Sequence, residues 1–199
     1  MELMYSPLSP YVRKVSVVAH EHGIAGKLRL TKVNTRSEPE RVAPLNPLGK
    51  IPVLITDAGA ALYDSPVICE YLDAEFGNHR LLPATGPRRW EVLTRMALAD
   101  GLLDASIIVR HERARPPELR SADWIDWQMR KVRTGLDHLE SVVGSFGDID
   151  LGQVAVGCAL GYMPLRLDEV VGFPHWPGLR AWFDRVSQRE SFRATVPVL

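Results

Sequence analysis

The stretch Asn46-Pro47-Leu48-Gly49-Lys50-Ile51-Pro52-Val53-Leu54 decides the fold, because it puts a proline inside a run that otherwise has the residues of a β-strand. Proline has no backbone N–H, so Pro52 predicts the first residue or the edge of a strand. If the Ile51–Pro52 bond is cis, which is uncommon and usually has a purpose where it occurs, the backbone N–H and C=O of Ile51 are left unpaired. Two such groups beside a strand can pair with a short extended peptide.

A helix start follows this stretch at Asp64-Ser65-Pro66. The pattern predicts Ser65 as the N-cap and Pro66 as the first helical residue. The first turn of a helix offers free N–H groups and the positive end of the helix dipole, and both suit a carboxylate. The two segments together predict a site for a peptide-like ligand that carries a carboxylate.

The first 76 residues alternate strand and helix signals in the order β-α-β-α-β-β-α, with a proline before the third strand. This order is that of a thioredoxin-like domain. Its first helix is predicted over residues 11–22, with an apolar stripe on one side and charged residues off that stripe. The stripe consists of Val12, Val15, Val18 and Ala19, and the residues off it are Arg13, Lys14 and Glu21.

The chain after Gly77 changes character. A segment rich in Gly, Pro and Asn predicts a linker over 78–87, and the pattern is helical from Arg88 onward. The sequence therefore predicts two domains, α/β over 1–77 and all-α over 88–199. In the second, Asp150-Leu151-Gly152-Gln153 has the spacing of a capping box, with Asp150 as N-cap and Gln153 reaching back. The apolar residues 154–160 predict a central, buried helix.

Composition excludes several classes of function. Lys plus Arg and Asp plus Glu are each 24, a balance that argues against nucleic-acid binding through bulk charge. The sequence contains no run of eighteen apolar residues, so no membrane span is expected. The first residues do not have the pattern of a secretory signal. Cys69 and Cys158 are far apart, which suits a cytoplasmic protein with buried thiols. The six histidines show no metal-ligand spacing with either cysteine, so no metal is expected.

Four motifs in order give the chain a resemblance to the cytosolic glutathione transferase superfamily, over its whole length. They are Ser9-Pro10-Tyr11-Val12-Arg13-Lys14-Val15, the 46–54 stretch, Asp64-Ser65-Pro66 and Ile149-Asp150-Leu151-Gly152-Gln153. Within the superfamily the chain looks most like the bacterial YibF-like branch. It departs from the beta class, which needs a cysteine at the start of the first helix.

The resemblance implies a glutathione transferase of the detoxification type, in which a hydroxyl donor stabilises the glutathione thiolate for attack on a small hydrophobic electrophile. Ser9 occupies the position where the theta and zeta classes carry serine, so it is the first candidate for that donor. A plain N-cap is the alternative role for Ser9. Tyr5, at the end of the first strand, is the second candidate, and Ser6 is the third.

The resemblance also assigns binding residues. Those for glutathione are Lys50 for the glycyl carboxylate, Ile51 and Pro52 for the cysteinyl backbone, and Asp64 and Ser65 for the γ-glutamyl ammonium and carboxylate. Those for the second substrate are Leu8, Tyr11, Leu103, Ile107 and Arg110. Asp104, or Asp100, is expected to contact glutathione bound to a partner subunit. An Arg110 that faces the cleft would favour an anionic or carbonyl-bearing electrophile.

Glutathione is thus expected as a cosubstrate, with no prosthetic group, no metal, no nucleic acid and no membrane, and the family implies a homodimer. Two other functions stay open at this point. One is a glutathione-dependent peroxidase or dehalogenase that uses the same site. The other is a protein-binding module of the same fold without turnover, as in relatives that include a starvation protein acting on RNA polymerase.

Overall fold

The computed structural model describes residues 1–197 and contains a small mixed sheet followed by a series of helices. The strands are β1 (Glu2–Tyr5), β2 (Arg29–Lys32), β3 (Val53–Ile55) and β4 (Ala61–Leu62). The helices are α1 (Pro10–Glu21), α2 (Pro39–Val42), α3 (Ser65–Gly77), α4 (Pro87–Arg113), α5 (Ala122–Val142), α6 (Leu151–Tyr162), α7 (Pro177–Val186) and α8 (Glu190–Arg193). This confirms a thioredoxin-like element order followed by a helical region.

The sheet has the strand order β2-β1-β3-β4. Strand β1 runs parallel to β2 and antiparallel to β3, and β3 and β4 form a hairpin. The register pairs Met4 with Val53, so the ladder between β1 and β3 begins just after Pro52. A buried cluster of Met4, Val33, Val42 and Val53 packs here, with the half-buried Ile51 against it. The sheet therefore fixes the strand to which the Ile51 backbone is attached.

The chain divides into two compact units. The first holds Met1–Val92 together with the segment from Arg189 onward, and the second holds Leu93–Gln188. The domain boundaries 1–77 and 88–199 stay a prediction.

Helix α8, which the sequence pattern did not indicate, packs against α1 in the first unit. Glu21 at the end of α1 accepts two hydrogen bonds from the Arg189 guanidinium, at 2.9 and 2.8 Å, and one from the Ser191 hydroxyl at 2.6 Å. Burial alone would raise the pKa of Glu21, but these bonds and the nearby positive charges of Arg189 and Arg80 lower it overall. The C-terminal segment is thus held to α1 by an ionised carboxylate.

Two charged residues of α1 are buried although they lie off the predicted apolar stripe. Arg13 and Lys14, placed off the apolar stripe, are 8% and 1% exposed. Helix α1 packs against both α3 and α8, so its buried surface is wider than one stripe. Long side chains such as these can bury their methylene stems within that surface. The predicted stripe itself is buried at Val12, Val15, Val18 and Ala19.

The second unit is centred on α6, whose residues 151–160 are all buried, as expected of a helix that is apolar on every side. Asp150 is its N-cap, and Asp150 Oδ1 accepts a hydrogen bond from the Gln153 N–H at 2.8 Å. The Gln153 side chain also reaches back past the start of the helix, where its amide donates to the Asp148 carbonyl at 2.7 Å. Arg95 donates to both Asp150 oxygens, at 3.2 and 2.9 Å, and so neutralises the buried carboxylate.

A second buried carboxylate, Asp73 of α3, organises the chain that follows that helix. It accepts hydrogen bonds from the N–H groups of Leu81 and Leu82, at 2.9 and 2.8 Å, and its Oδ1 lies 3.0 Å from His22 Nε2. A Cβ on Gly77 would lie 2.2 Å from the His22 ring and 2.6 Å from Asp73, so only glycine fits there. Burial raises the pKa of Asp73, but the His22 contact and the two N–H bonds outweigh it and lower the pKa overall.

We predict that Asp73→Asn lowers the free energy of unfolding by about 2 kcal/mol or more at pH 7, because buried donors lose a charged acceptor. Because the pKa of Asp73 is lower in the folded state, its ionised carboxylate stabilises the fold at pH values above the unfolded-state pKa of about 3.9. This stabilisation is lost as the pH falls through the folded-state pKa. The difference in free energy of unfolding between wild type and Asp73→Asn, measured by urea denaturation, should therefore decrease below about pH 4. Asp126→Asn, at an exposed position of α5, serves as the control. Equal losses in the two variants would contradict the prediction.

Candidate functional site

The start of α1 places the first candidate hydroxyl, and the helix geometry explains how. Ser9 is the N-cap, with its Oγ accepting a hydrogen bond from the Val12 N–H at 3.3 Å. The Ser9 N–H donates to the Ser6 carbonyl at 3.1 Å, which fixes the turn before the helix. A hydroxyl that accepts through a lone pair still has its proton to donate. Capping therefore leaves Ser9 able to donate a hydrogen bond to a ligand.

Tyr5, the second candidate, lies at the end of β1, and the structure brings it to the same place as Ser9. Both side chains line a cavity of about 200 Å³ in the first unit, and Ser6 lines it as well. The three candidates for the hydroxyl that donates to the thiolate therefore border one cavity.

The Ile51–Pro52 bond is cis, and Ile51 lies outside the sheet ladder, which begins at Val53. Pro52 is buried, and Ile51 borders a second cavity, of about 390 Å³. The backbone of Ile51 is therefore placed beside an open space just before the start of β3, as the sequence pattern requires for pairing with an extended ligand.

Asn46 positions this segment, a role that the sequence analysis did not assign. The Asn46 side chain is buried, and its Oδ1 accepts from the Leu48 N–H at 3.0 Å while its Nδ2 donates to the Lys50 carbonyl at 2.9 Å. Gly49 completes the turn with φ of +63°, a value that favours glycine. The signal was present in the sequence, since Asn-Pro-x-Gly is typical of a turn closed by an asparagine side chain.

The start of α3 differs from expectation by one residue. The N-cap is Asp64, which makes no side-chain capping bond, and Ser65 is the first helical residue. Asp64 follows a cis bond from Tyr63 and is exposed, so its carboxylate faces solvent. Ser65 is 1% exposed, and its Oγ has no hydrogen-bond partner within the described residues. A buried hydroxyl without a partner is costly, and a bound carboxylate beside it would remove that cost.

The 390 Å³ cavity beside Ile51 is lined by two positively charged side chains that the sequence analysis did not assign to a site. Lys32 and Arg41 line it, together with Asn34, Thr35 and Glu38 of the loop between β2 and α2. Hydrogen bonds from the Asn34 N–H and from Arg41 lower the pKa of Glu38, so this residue is a carboxylate at neutral pH. Lys50, expected from sequence to bind a carboxylate, is exposed and is not among the residues lining this cavity.

The residues expected to hold a second substrate come from both units. In the first unit, Leu8 and Tyr11 are half-buried around the start of α1. On α4, Leu103 is buried, Ile107 is half-buried and Arg110 is exposed. Asp104, expected to face a partner subunit, is exposed on the same helix. Their roles stay predictions.

Two further features bear on the chemistry available. Within the described residues Cys69 and Cys158 form no disulfide, and both are fully buried, which confirms the burial expected from the sequence. Within residues 1–197, no group of three or more His, Cys, Asp or Glu side chains is arranged to hold a metal ion. No helix in this part of the chain has both the length and the apolar character needed to span a membrane.

Comparison with known proteins identifies the family. The chain is 35% identical to the "Uncharacterized GST-like protein YibF" of Escherichia coli K12, over 99% of this chain and 98% of that protein. The chain belongs to the glutathione S-transferase family. Residues 8–75 match the family model for the glutathione S-transferase N-terminal domain. This matched range contains Ser9, Ile51, Asp64 and Ser65.

Solved structures of glutathione transferases resemble the whole chain. A family member from Pseudomonas fluorescens Pf-5, crystallised with bound glutathione, is 40% identical with a TM-score of 0.92, covering 100% of this chain and 99% of that one. A second crystal structure of a family member from the same strain contains S-(propanoic acid)-glutathione and is 41% identical, with a TM-score of 0.90 and full coverage of both chains. The resemblance to the YibF-like branch seen in the sequence is confirmed.

We predict that Asn46→Ala increases amide hydrogen exchange at Leu48 and in the peptide containing residues 49–51. The Leu48 N–H loses its acceptor and the Lys50 carbonyl loses its donor, so local opening should cost about 1–3 kcal/mol less. Thr56→Ala is the matched control, because Thr56 Oγ1 accepts from the Ala60 N–H at 3.1 Å in the β3–β4 turn. Unchanged exchange over residues 48–51 in Asn46→Ala would show that the asparagine does not hold the loop.

Proposed function

We propose that this family member is a glutathione-dependent transferase in which Ser9 stabilises the glutathione thiolate. The observation that carries the proposal is the geometry of Ser9, whose oxygen accepts from the Val12 N–H while its proton is left to donate. A donor that is itself accepting a hydrogen bond becomes more polarised and donates more strongly. The start of a helix adds a favourable potential for a negative sulfur.

The required energy is within reach of these groups. A free thiol has a pKa of about 8.5, so only a few per cent is thiolate at neutral pH. Lowering that pKa by about two units requires about 2.7 kcal/mol of preferential stabilisation of the thiolate. A hydrogen bond to a charged group contributes about 1.5–3 kcal/mol, and a helix terminus adds about 0.3–1 kcal/mol.

Glutathione would be held by three features of the first unit. The free backbone of Ile51 pairs with the cysteinyl unit, Ser65 and the first turn of α3 bind the γ-glutamyl carboxylate, and Asp64 binds its ammonium. The unpartnered Ser65 Oγ and the uncommitted Asp64 carboxylate support these roles. Lys50 is available for the glycyl carboxylate, and the Pseudomonas fluorescens relative with bound glutathione supports the choice of cosubstrate.

The thiolate is then proposed to attack an electrophilic carbon. The second Pseudomonas fluorescens structure contains glutathione whose sulfur carries a propanoic acid group. A sulfur substituent of this kind is what attack on carbon produces, whereas peroxide reduction leaves no carbon substituent on sulfur. This favours transfer over the peroxidase alternative for the present chain.

We predict that Ser9→Ala removes the thiolate absorbance of bound glutathione at neutral pH while glutathione still binds, because the hydrogen-bond donor is lost but the binding groups remain. The measurement is ultraviolet difference absorbance of bound glutathione against pH. Ser65→Ala is the complementary variant. It should bind glutathione about tenfold more weakly and keep the lowered thiol pKa in the bound fraction.

Three results would contradict this mechanism. A lowered pKa that persists in Ser9→Ala but is lost in Tyr5→Phe would assign the donor to Tyr5. Binding of glutathione by the wild type without any lowered pKa would favour a binding module. An absence of glutathione binding would contradict the function itself.

We also propose that the protein is a cytoplasmic homodimer, as is general for the family, with α4 at the interface. Trp90 near the start of α4 is 64% exposed, and aromatic side chains of this kind are enriched at protein interfaces. Sedimentation at micromolar concentration should give twice the chain mass of 22.2 kDa. A species of single-chain mass would contradict the proposal, and Trp90→Glu should produce that species if the interface includes this residue.

A further inference from the structure

The cavity of about 200 Å³ that Ser9 borders extends along one face of α1. Its α1 residues are Ser9, Val12, Arg13, Ser16 and His20, spaced as expected for one helix face. Tyr5 and Leu30 line it from the sheet, and residues 194–196 line it from the C-terminal segment. A group bonded to a sulfur atom beside Ser9 therefore has a cavity next to it, within the first unit.

Arg13 is the unusual residue of this cavity. It is 8% exposed, and its side chain makes one hydrogen bond within the described residues, from Nη2 to the Phe192 carbonyl at 3.3 Å. Its guanidinium also lies 5.7 Å from the centre of the Phe192 ring. A guanidinium has five N–H donors, and here the buried Nε has no partner. Burying a charged donor without a partner is costly, so the site is built for a ligand that accepts hydrogen bonds.

The charged groups that line the cavity indicate the charge of that ligand. Among the described residues that line it there is no carboxylate, while Arg13 supplies a permanent positive charge. The Ser16 hydroxyl adds a further hydrogen-bonding group, whereas the Thr195 hydroxyl already donates to the Ser191 carbonyl at 2.8 Å. A carboxylate is the planar anion that a guanidinium binds best through paired hydrogen bonds.

We propose that Arg13 binds the carboxylate of the second substrate, and that this substrate is a short α,β-unsaturated carboxylic acid. The inference rests on the proposed function, because it requires the glutathione sulfur to lie beside Ser9. Ser9 and Arg13 are four residues apart on one face of α1, a helix rise of about 6 Å, which is comparable to the length of a short carboxylic acid. The anionic group is thereby assigned to Arg13 and not to Arg110.

The reaction is a conjugate addition. The thiolate electron pair forms a C–S bond to the β-carbon, the C=C π bond breaks, and the α-carbon takes a proton from water, so no oxidant or reductant is needed. An ionised carboxylate withdraws electrons poorly, and unsaturated acids are therefore slow acceptors of thiols in water. Pairing with a buried guanidinium restores electron withdrawal as negative charge develops next to the carboxylate.

The test compares acrylic acid with acrylamide, which has nearly the same shape and is neutral. For each substrate, kcat/KM with glutathione is divided by the uncatalysed rate constant under the same conditions. We expect this ratio to be about tenfold or more higher for acrylic acid in the wild type. Arg13→Gln should lower the ratio for acrylic acid more than the ratio for acrylamide and so abolish the preference, and Arg13→Lys should retain part of it. Equal ratios for the two substrates in the wild type would overturn the proposal.

Arg193→Gln is the matched control, because it removes one positive charge from an exposed position of α8. It should leave the preference for acrylic acid unchanged. If Arg13 served only to hold the Phe192 carbonyl, Arg13→Gln would lower the values for both substrates by the same factor, and the proposal would be wrong.

A binding measurement on the wild type needs no variant to fold. Calorimetry should show that the addition product of acrylic acid with glutathione binds about tenfold more tightly than the product of acrylamide. Equal affinities would overturn the role of the carboxylate while leaving the proposed function in place. Failure of both products and of glutathione itself to bind would instead contradict the proposed function.

Discussion

The carboxylate of Glu21 holds the C-terminal segment against α1, and the candidate site depends on that contact. Arg189 and Ser191 donate three hydrogen bonds to it, and the Arg13 guanidinium adds a fourth tie through the Phe192 carbonyl. Because the segment from Arg189 onward runs along α1, its residues 194–196 form one wall of the cavity that borders Ser9. A short helix far from the first residues in sequence therefore shapes the space in which a substrate of the first unit would bind.

Ser9 shows that a structural and a chemical role need not exclude each other. The same oxygen atom that caps α1 by accepting from the Val12 N–H keeps its proton for a ligand. Ser65 is the opposite case, since it does not cap α3 and its hydroxyl has no partner in the described part of the chain. Ser9 is therefore positioned by its capping hydrogen bond, whereas Ser65 is a candidate ligand contact because its buried hydroxyl lacks a partner among the described residues.

The buried charges divide into two kinds. Asp73, Asp150 and Glu21 each accept several hydrogen bonds within the fold. Asp73 holds the chain that follows α3, Asp150 caps α6, and Glu21 holds the C-terminal segment to α1. Arg13 is buried with one weak tie to a carbonyl, and no carboxylate faces it among the described residues that line its cavity. The first kind is explained by folding alone, whereas the second is explained more fully by a ligand.

The sequence by itself determined the order of elements, the proline at the start of β3, the caps at Ser9 and Asp150 and the buried character of α6, because each depends on neighbours within a few residues. It also determined the family, through four motifs in order. Only the tertiary structure decided the burial of Arg13 and Lys14, since a helical pattern assigns charged residues to solvent unless helices distant in sequence cover them. The docking of α8, the cap at Asp64 in place of Ser65 and the Asn46 bonds to Leu48 and Lys50 likewise depend on how the chain returns in space or on which of two adjacent residues enters the helix. The features that the sequence determined depend on local patterns of neighbouring residues. The features that only the tertiary structure decided depend on long-range contacts or on backbone geometry, which such patterns do not specify.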